Sequence, residues 1–342
     1  MIQISDIPLL VFPQELNSLD FGATASAEST NAVTIKVDGI SVFTADLYGN
    51  SAGRVVLEDM ADFFRDYVTA PATIEFFLKD VKLASTTALP CSWDIGTPAV
   101  SFVADHFLSL LGEETEVPAK GKVYLPFWAD GASSVVVELS VVKARVNDKR
   151  NVELVVSHEL EELAVEGPGL ISYVLDPAAY APAISEEKLC SVTVKVGNRR
   201  RCLRVLSKSH VKTFEFINAF GCQESIWFDM LTVNDEVSFQ QVKVSGRLRN
   251  ILPVAKSKYE AIRNFVPDND KNLYRDLSCS TEVYALPDML PLLVKNCSIK
   301  DDASPYLTTT VKVSFDIGDK HHRFVPPVHV RTFDATFDQT FD

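Results

Sequence analysis

A few stretches of this chain carry residue types that could do chemistry. Gly49-Asn50-Ser51-Ala52-Gly53 has the G-x-S-x-G spacing of a nucleophile elbow, where a serine on a strained turn between strand and helix attacks an acyl carbon. Here Arg54-Val55-Val56 follows and reads as extended chain, so the serine does not open a helix. It also stands too early for a hydrolase sheet to have formed before it. Gly, Asn and Ser are ordinary turn formers, and the pentapeptide is read as a turn. His158-Glu159-Leu160-Glu161-Glu162 begins like the zinc-protease helix H-E-x-x-H, but Glu162 stands where the second histidine must be, and no third ligand follows. It reads as a solvated acidic stretch. His321-His322 are adjacent, so on a strand they point to opposite faces and chelate poorly. The six cysteines, Cys91, Cys190, Cys202, Cys222, Cys279 and Cys297, include no C-x-x-C pair and read as buried reduced thiols. No glycine-rich phosphate loop or dinucleotide fingerprint occurs. Carboxylates are many, but their pairing as glycosidase acid and base is a matter of space that spacing cannot supply. The expectation is no catalytic residue, no cofactor and no metal.

The one basic cluster is Arg199-Arg200-Arg201, followed by Arg204, Lys208 and Lys212. On a hairpin its members alternate faces. Two readings stay open: a solvated tip that blunts an edge strand, or a contact with the acidic surface of another copy. The chain has 33 basic and 46 acidic residues among 342, a formal net charge of −13. That balance disfavours a nucleic-acid partner, since binding phosphates needs clustered positive charge. With 46% hydrophobic and 23% charged residues, the composition is that of a folded protein.

The elements around these residues are mostly strands. Val33–Val37 and Ile40–Leu47 alternate about Asp38-Gly39, whose residue types suit a type I′ hairpin turn. Lys122–Ala129 and Ser134–Val142 flank Asp130-Gly131, and Ser191–Val196 and Arg201–Leu206 flank Gly197-Asn198, predicting two more hairpins. Val237–Val244 and Leu307–Phe315 read as strands. Helical spacing of Leu57, Met60, Phe64 and Tyr67 predicts a helix over 57–68. A shorter helix is expected over Pro287–Asn296, with helical turns at 104–111 and 257–264 and a long loop at 264–272. Short strands joined by hairpins predict a mainly β protein of two to three antiparallel, sandwich-like domains with few short helices. Breaks in composition place these at 1–113 with one helix, 114–209, and 210–342 with a terminal interaction arm. That arm reads Thr332-Phe-Asp-Ala-Thr-Phe-Asp-Gln-Thr-Phe-Asp342. Its Phe333, Phe337 and Phe341 either pack on their own domain or dock on a neighbouring subunit, where Arg199, Arg200 and Arg201 are the other interface candidates.

Lys212–Phe228 resembles a segment of β-rich tail and baseplate virion proteins from phages and prophages of Bacteroidetes-type bacteria. The matching residues are Phe216, Asn218, Phe220, Gly221, Glu224 and Phe228. Val55–Tyr67, Val117-Pro118 with Tyr124–Phe127, and Ala285–Leu293 with Thr308–Phe315 are similar in order. Cys222-Gln223 and the Thr-Phe-Asp tail depart from the pattern. The resemblance implies a non-enzymatic structural subunit that joins copies of itself and other tail proteins into a ring or tube. It implies a place in the virion after synthesis in the host cytoplasm. In agreement, Met1–Pro8 reads as no signal peptide, and no apolar run reaches the length of a membrane span. The alternative is a carbohydrate-binding or adhesion module, with Trp93, Trp128 and Trp227 stacking on a glycan.

Overall fold

The computed structural model describes residues 1–23, 30–131, 133–146, 151–182, 187–206, 211–244, 247–301 and 309–317. The fold is mainly β, 59% strand and 14% helix, in several sheets packed as sandwiches. The first part holds β1 (Ile2–Gln3), β2 (Leu10–Val11), β3 (Leu19–Ala23), β4 (Thr30–Val37), β5 (Ile40–Tyr48), β6 (Arg54–Leu57), α1 (Ala61–Tyr67), β7 (Ala72–Leu78) and β8 (Val81–Ala88). A five-stranded sheet runs β2-β8-β7-β4-β5, and a three-stranded one runs β1-β3-β6. Val33, Ile35, Ile74 and Phe76 from the larger sheet meet Leu19, Phe21, Val55 and Phe64 in one core. The β4–β5 turn is as expected: Asp38 and Gly39 take φ of +48° and +78°, and the Asp38 carboxylate accepts the Thr73 amide at 2.7 Å. The predicted helix starts later than 57, because Leu57 ends β6 and Asp59 takes φ +57°.

The second part holds α2 (Ala99–Asp105), β9 (Glu114–Pro118), β10 (Val123–Asp130), β11 (Ser134–Val146), β12 (Val152–Ala164), β13 (Pro168–Leu175), β14 (Glu187–Val196) and β15 (Arg199–Leu206). Its sheet runs β12-β11-β14-β15-β9, opposite the β10–β13 pair. The hairpin expected about Asp130-Gly131 does not form. β10 is buried on both faces up to Ala129, so it serves as the inner layer and pairs with β13. β11, buried on one face only, pairs with β12 and β14 instead. The β14–β15 hairpin forms as expected. The helical turn predicted at 104–111 is instead α2, which ends at Asp105.

The third part holds β16 (Lys212–Ile217), β17 (Gln223–Phe228), β18 (Met230–Val244), β19 (Arg247–Val266), α3 (Lys271–Cys279), β20 (Val283–Ala285), β21 (Leu290–Asp301) and β22 (Thr309–Ile317). They form one antiparallel sheet, β17-β16-β20-β21-β22-β19-β18. Three expectations fail here. Pro287–Asn296 is a turn after the cis Leu286–Pro287 bond and then strand β21, not a helix. Residues 257–264 lie inside β19. The loop expected at 264–272 contains a short 3-10 turn, Asp268–Asp270, that leads into α3. The largest core runs from Phe107 to Phe315 and draws on the second and third parts together. A smaller core, with Phe12, Leu89, Val103, Leu108, Trp128 and Phe220, joins all three. Among the described residues no helix is long and apolar enough to cross a membrane.

Candidate functional site

Two places stand out: a buried polar joint where the three parts meet, and an open arm made by β11 and β12. The joint is built on the turn between β16 and β17, the segment that carries the sequence resemblance. An asparagine side chain offers two donors and a two-lone-pair acceptor, and Asn218 uses them all. Its Nδ2 donates to the Leu108 carbonyl at 2.9 Å and to Glu224 Oε2 at 2.9 Å. Its Oδ1 accepts the Phe220 and Cys222 amides, each at 3.0 Å. Gly221 closes the turn with φ +68°, and a Cβ there would lie 2.8 Å from the Thr69 carbonyl oxygen of the first part. The Ser92 amide donates to the Ala219 carbonyl at 3.0 Å, and Asp276 of α3 accepts the Ala219 amide at 3.0 Å. One turn thus touches all three parts.

Charged groups are buried beside this turn and along the seam between the second and third parts. Burial pushes the Glu224 carboxyl up to about 7, against the pull of Asn218, Ser109 and Arg201. Burial pushes Asp276 up to about 6, against its bonds from Ala219 and Trp93. Asp270 is also raised by burial, although Thr115 and the Gly112 amide bind it at 2.7 and 3.2 Å. Arg263 is 2% exposed and donates to Glu116 at 2.9 Å and to Asp229 at 3.1 Å. Each bond joins one segment to another, and charge-assisted bonds of this kind hold position strongly. A cavity of about 230 Å³ lies beside the turn, lined by Arg65, Cys91, Ser92, Asn218, Asp276 and Thr281 among others. No group of His, Cys, Asp or Glu among the described residues could hold a metal ion.

The arginine cluster divides about this joint. Arg199 and Arg201 are buried, and Arg200 is exposed. Arg199 Nε donates to the Val103 carbonyl at 2.6 Å and its Nη2 to the Trp128 carbonyl at 2.8 Å. The Arg201 guanidinium lies 5.5 Å from the centre of the Phe107 ring. Burial lowers both guanidinium pKa values; Glu224 and Asp270 counter it at Arg201. The reading of a solvated hairpin tip is corrected for these two: β15 is an inner strand, between β14 and β9, so its inward side chains meet the core. Phe333, Phe337, Phe341 and His321-His322 lie outside the described residues.

The other sequence candidates fall elsewhere. Ser51 sits in a turn organised by Asn50, whose Oδ1 accepts the Ala52 and Arg54 amides at 2.9 and 3.0 Å. His158 is on the exposed strand β12, 2.9 Å from Ser140 Oγ. The cysteines are free thiols; burial pushes Cys91 up to about 11 and Cys222 to about 12. Trp128 and Trp227 are buried, and Trp93 packs against the joining core, so none of the three stands as an open flat ring.

The arm is the opposite of the joint. β12 pairs with β11 along its whole length, and among the described residues no strand lies on its other side. Successive residues alternate faces. On one face Val137, Leu139 and Val141 of β11 are buried in the core, whereas Glu159 and Ser157 opposite two of them are exposed. β12 meets the core only near its base, where Leu163 packs against it and Glu161 accepts the Tyr173 hydroxyl at 2.9 Å; from Glu159 back to Val152 it overhangs. On the other face the pairs Val142–Val156, Ala144–Leu154 and Val146–Val152 adjoin, six positions without a charge. Val146, Val152, Leu154 and Val156 are 52%, 66%, 67% and 53% exposed. Leu160, 74% exposed, continues this face toward the base of the arm. They form a contiguous exposed apolar patch. The sequence pointed at the joint through its Asn-x-aromatic-Gly pattern. It missed the arm, because Glu159, Glu161 and Glu162 made residues 158–162 read as acidic solvated chain. The alternation of Val152, Leu154 and Val156 was the available signal. No protein-family model and no curated protein matches the chain.

Proposed function

We propose that this protein is a structural subunit of a phage virion, a tail or baseplate component that assembles with copies of itself and with other tail proteins into a ring or tube. The observation that carries the reading is the β11–β12 arm. A 13-residue strand with no neighbour on one side among the described residues and an uncharged, exposed apolar end at Val146, Val152, Leu154 and Val156 is an aggregation hazard in a protein that stays single. In a subunit it is a contact surface. The joint supports the same reading. A buried network of charged bonds ties the second part to the third, and the Asn218 turn and the joining core seat the first against them, as a load-carrying subunit requires. Heterologous contacts that repeat from copy to copy close into rings when the rotation permits. The resemblance of Lys212–Phe228 to tail and baseplate proteins supplies the virion setting. The test is native mass spectrometry and cryo-electron microscopy of the purified chain at rising concentration. Closed rings or tubes of one copy number are expected. A protein that stays a monomer throughout overturns the reading.

A further inference from the structure

The open edge of β12 and the end of the chain share a period. Along β12, Val152, Val156 and Leu160 are exposed, lie on one face, and recur every four residues. In the tail, Phe333, Phe337 and Phe341 recur every four residues as well. An extended chain places residues two apart on the same side. In extended form, Thr332–Asp342 therefore divides into Phe333, Ala335, Phe337, Gln339 and Phe341 on one side and only Thr and Asp on the other. Described structure ends at Ile317 of β22, and residues 318–331 can span up to about 50 Å.

We infer that Thr332–Asp342 of one copy adds as a strand to the open edge of β12 in a neighbouring copy, antiparallel, with Phe337 beside Val156. This rests on the assembly reading above and names its contact. The register sets Phe333 beside Leu160 and Phe341 beside Val152. Phe337 and Phe341 then extend the uncharged end of the arm, Phe333 covers Leu160 beyond it, where Glu138 stands across the strand pair, and the Thr and Asp side chains take the other face. Charge selects the direction. Antiparallel pairing in this register opposes one pair of like charges, Asp334 and Glu159. The parallel alternative opposes two, Asp334 with Glu153 and Asp342 with Glu161, and like charges directly opposite are destabilising. Main-chain bonds to the edge supply affinity, and the rings supply register, as in other cases of strand addition.

The test mixes two full-length variants, Val156→Cys and Phe337→Cys, under mild oxidation. Position 156 is exposed, so that change leaves the fold intact. A disulfide between the two chains is expected. A mixture of Val152→Cys with Phe337→Cys is four residues out of register, a displacement of about 13 Å along the strand. It should cross-link at least tenfold less, since bridged Cα atoms must lie within about 7 Å. Equal yields in the two mixtures, or no bridge while the wild-type chain still assembles, overturn the tail contact and leave the assembly reading standing. A bridge that forms only within single chains of the Val156→Cys/Phe337→Cys double variant overturns it too. A wild-type chain that never assembles removes both.

Discussion

At the joint, polar groups lie inside the protein; on the arm, apolar groups lie outside it. Asn218, Glu224, Asp276, Asp270 and Arg263 have been taken from water and bound to partners on other segments. Val146, Val152, Leu154, Val156 and Leu160 remain in water. Each arrangement costs free energy where it stands. The cost at the joint is offset within one chain, because the bonds either close the Asn218 turn or cross from it and its neighbours to other segments. The cost at the arm is offset only when something covers it. The contrast separates groups whose partners lie within the chain from exposed apolar groups that the proposed assembly would cover. Variants at the joint should unfold the protein; variants on the arm should leave it folded and single.

The largest expected loss follows Asn218→Ala. It strips partners from the Phe220 and Cys222 amides, the Leu108 carbonyl and the Glu224 carboxylate. A buried group left unpaired costs about 1–3 kcal/mol. Neighbouring losses are not additive, so the sum is expected at roughly 4 kcal/mol, read by urea unfolding. A loss under about 1 kcal/mol would show that the turn is not a joint. Next is Gly221→Ala. The added Cβ meets the Thr69 carbonyl oxygen at 2.8 Å in a backbone conformation of positive φ. About 2 kcal/mol is expected, within the range for a non-glycine residue held there. An unchanged urea midpoint would mean that the first part can draw away without cost.

How much of this could be read from residues alone differs between the two regions. The mainly β fold was legible because β4 and β14 alternate cleanly, with turns of Asp-Gly and Gly-Asn. Asn218 and Gly221 of the joint were legible only as members of the resembling pattern. The joint's bonding was not, because Leu108 and Asp276 are remote in the chain and only folding brings them to Asn218. Helix α3 was hidden because its buried stripe, Leu273, Tyr274 and Leu277, includes the polar Asp276. The Pro287–Asn296 error came from giving proline a helical first position, where it begins the turn before β21. Arg201 looked like a surface residue, since nothing local says that β15 is an inner strand.

The joint also makes stability depend on pH. Glu224 rises from 4.5 to about 7 and Asp276 from 3.8 to about 6, both chiefly through burial. Between its ordinary value and its raised one, each carboxyl holds a proton in the folded state that the unfolded chain releases. The folded state is therefore favoured at the acid end of the window and loses stability as pH rises toward 7. One such proton changes stability by at most about 1.4 kcal/mol per pH unit. Asp20 runs the other way. Burial alone would raise its pKa, but Arg54 and the Gly22 amide outweigh that and hold it below 3.8, so its contribution is lost only in stronger acid. Urea unfolding between pH 4.5 and 7.5 should show a falling slope in wild type and a flatter one in Glu224→Gln. Identical slopes would mean that Glu224 is not desolvated in the fold.

The smallest effect on folding is expected on the arm, and it sharpens the comparison most. Leu160→Thr keeps a good strand residue at a position 74% exposed. Surface changes of this kind shift unfolding free energy by no more than about 0.5 kcal/mol. Covering a leucine is worth about 1.5–3 kcal/mol, and 1.4 kcal/mol is about tenfold in affinity. Assembly should therefore weaken tenfold or more in native mass spectrometry while the urea midpoint hardly moves. That is the reverse of Asn218→Ala, which should lower the midpoint first and lose assembly only as folded protein is lost. If Leu160→Thr lowers the midpoint as far as it lowers association, β12 belongs to the core of the single chain. The exposed valines and leucines of the arm would then need another explanation than a neighbouring subunit.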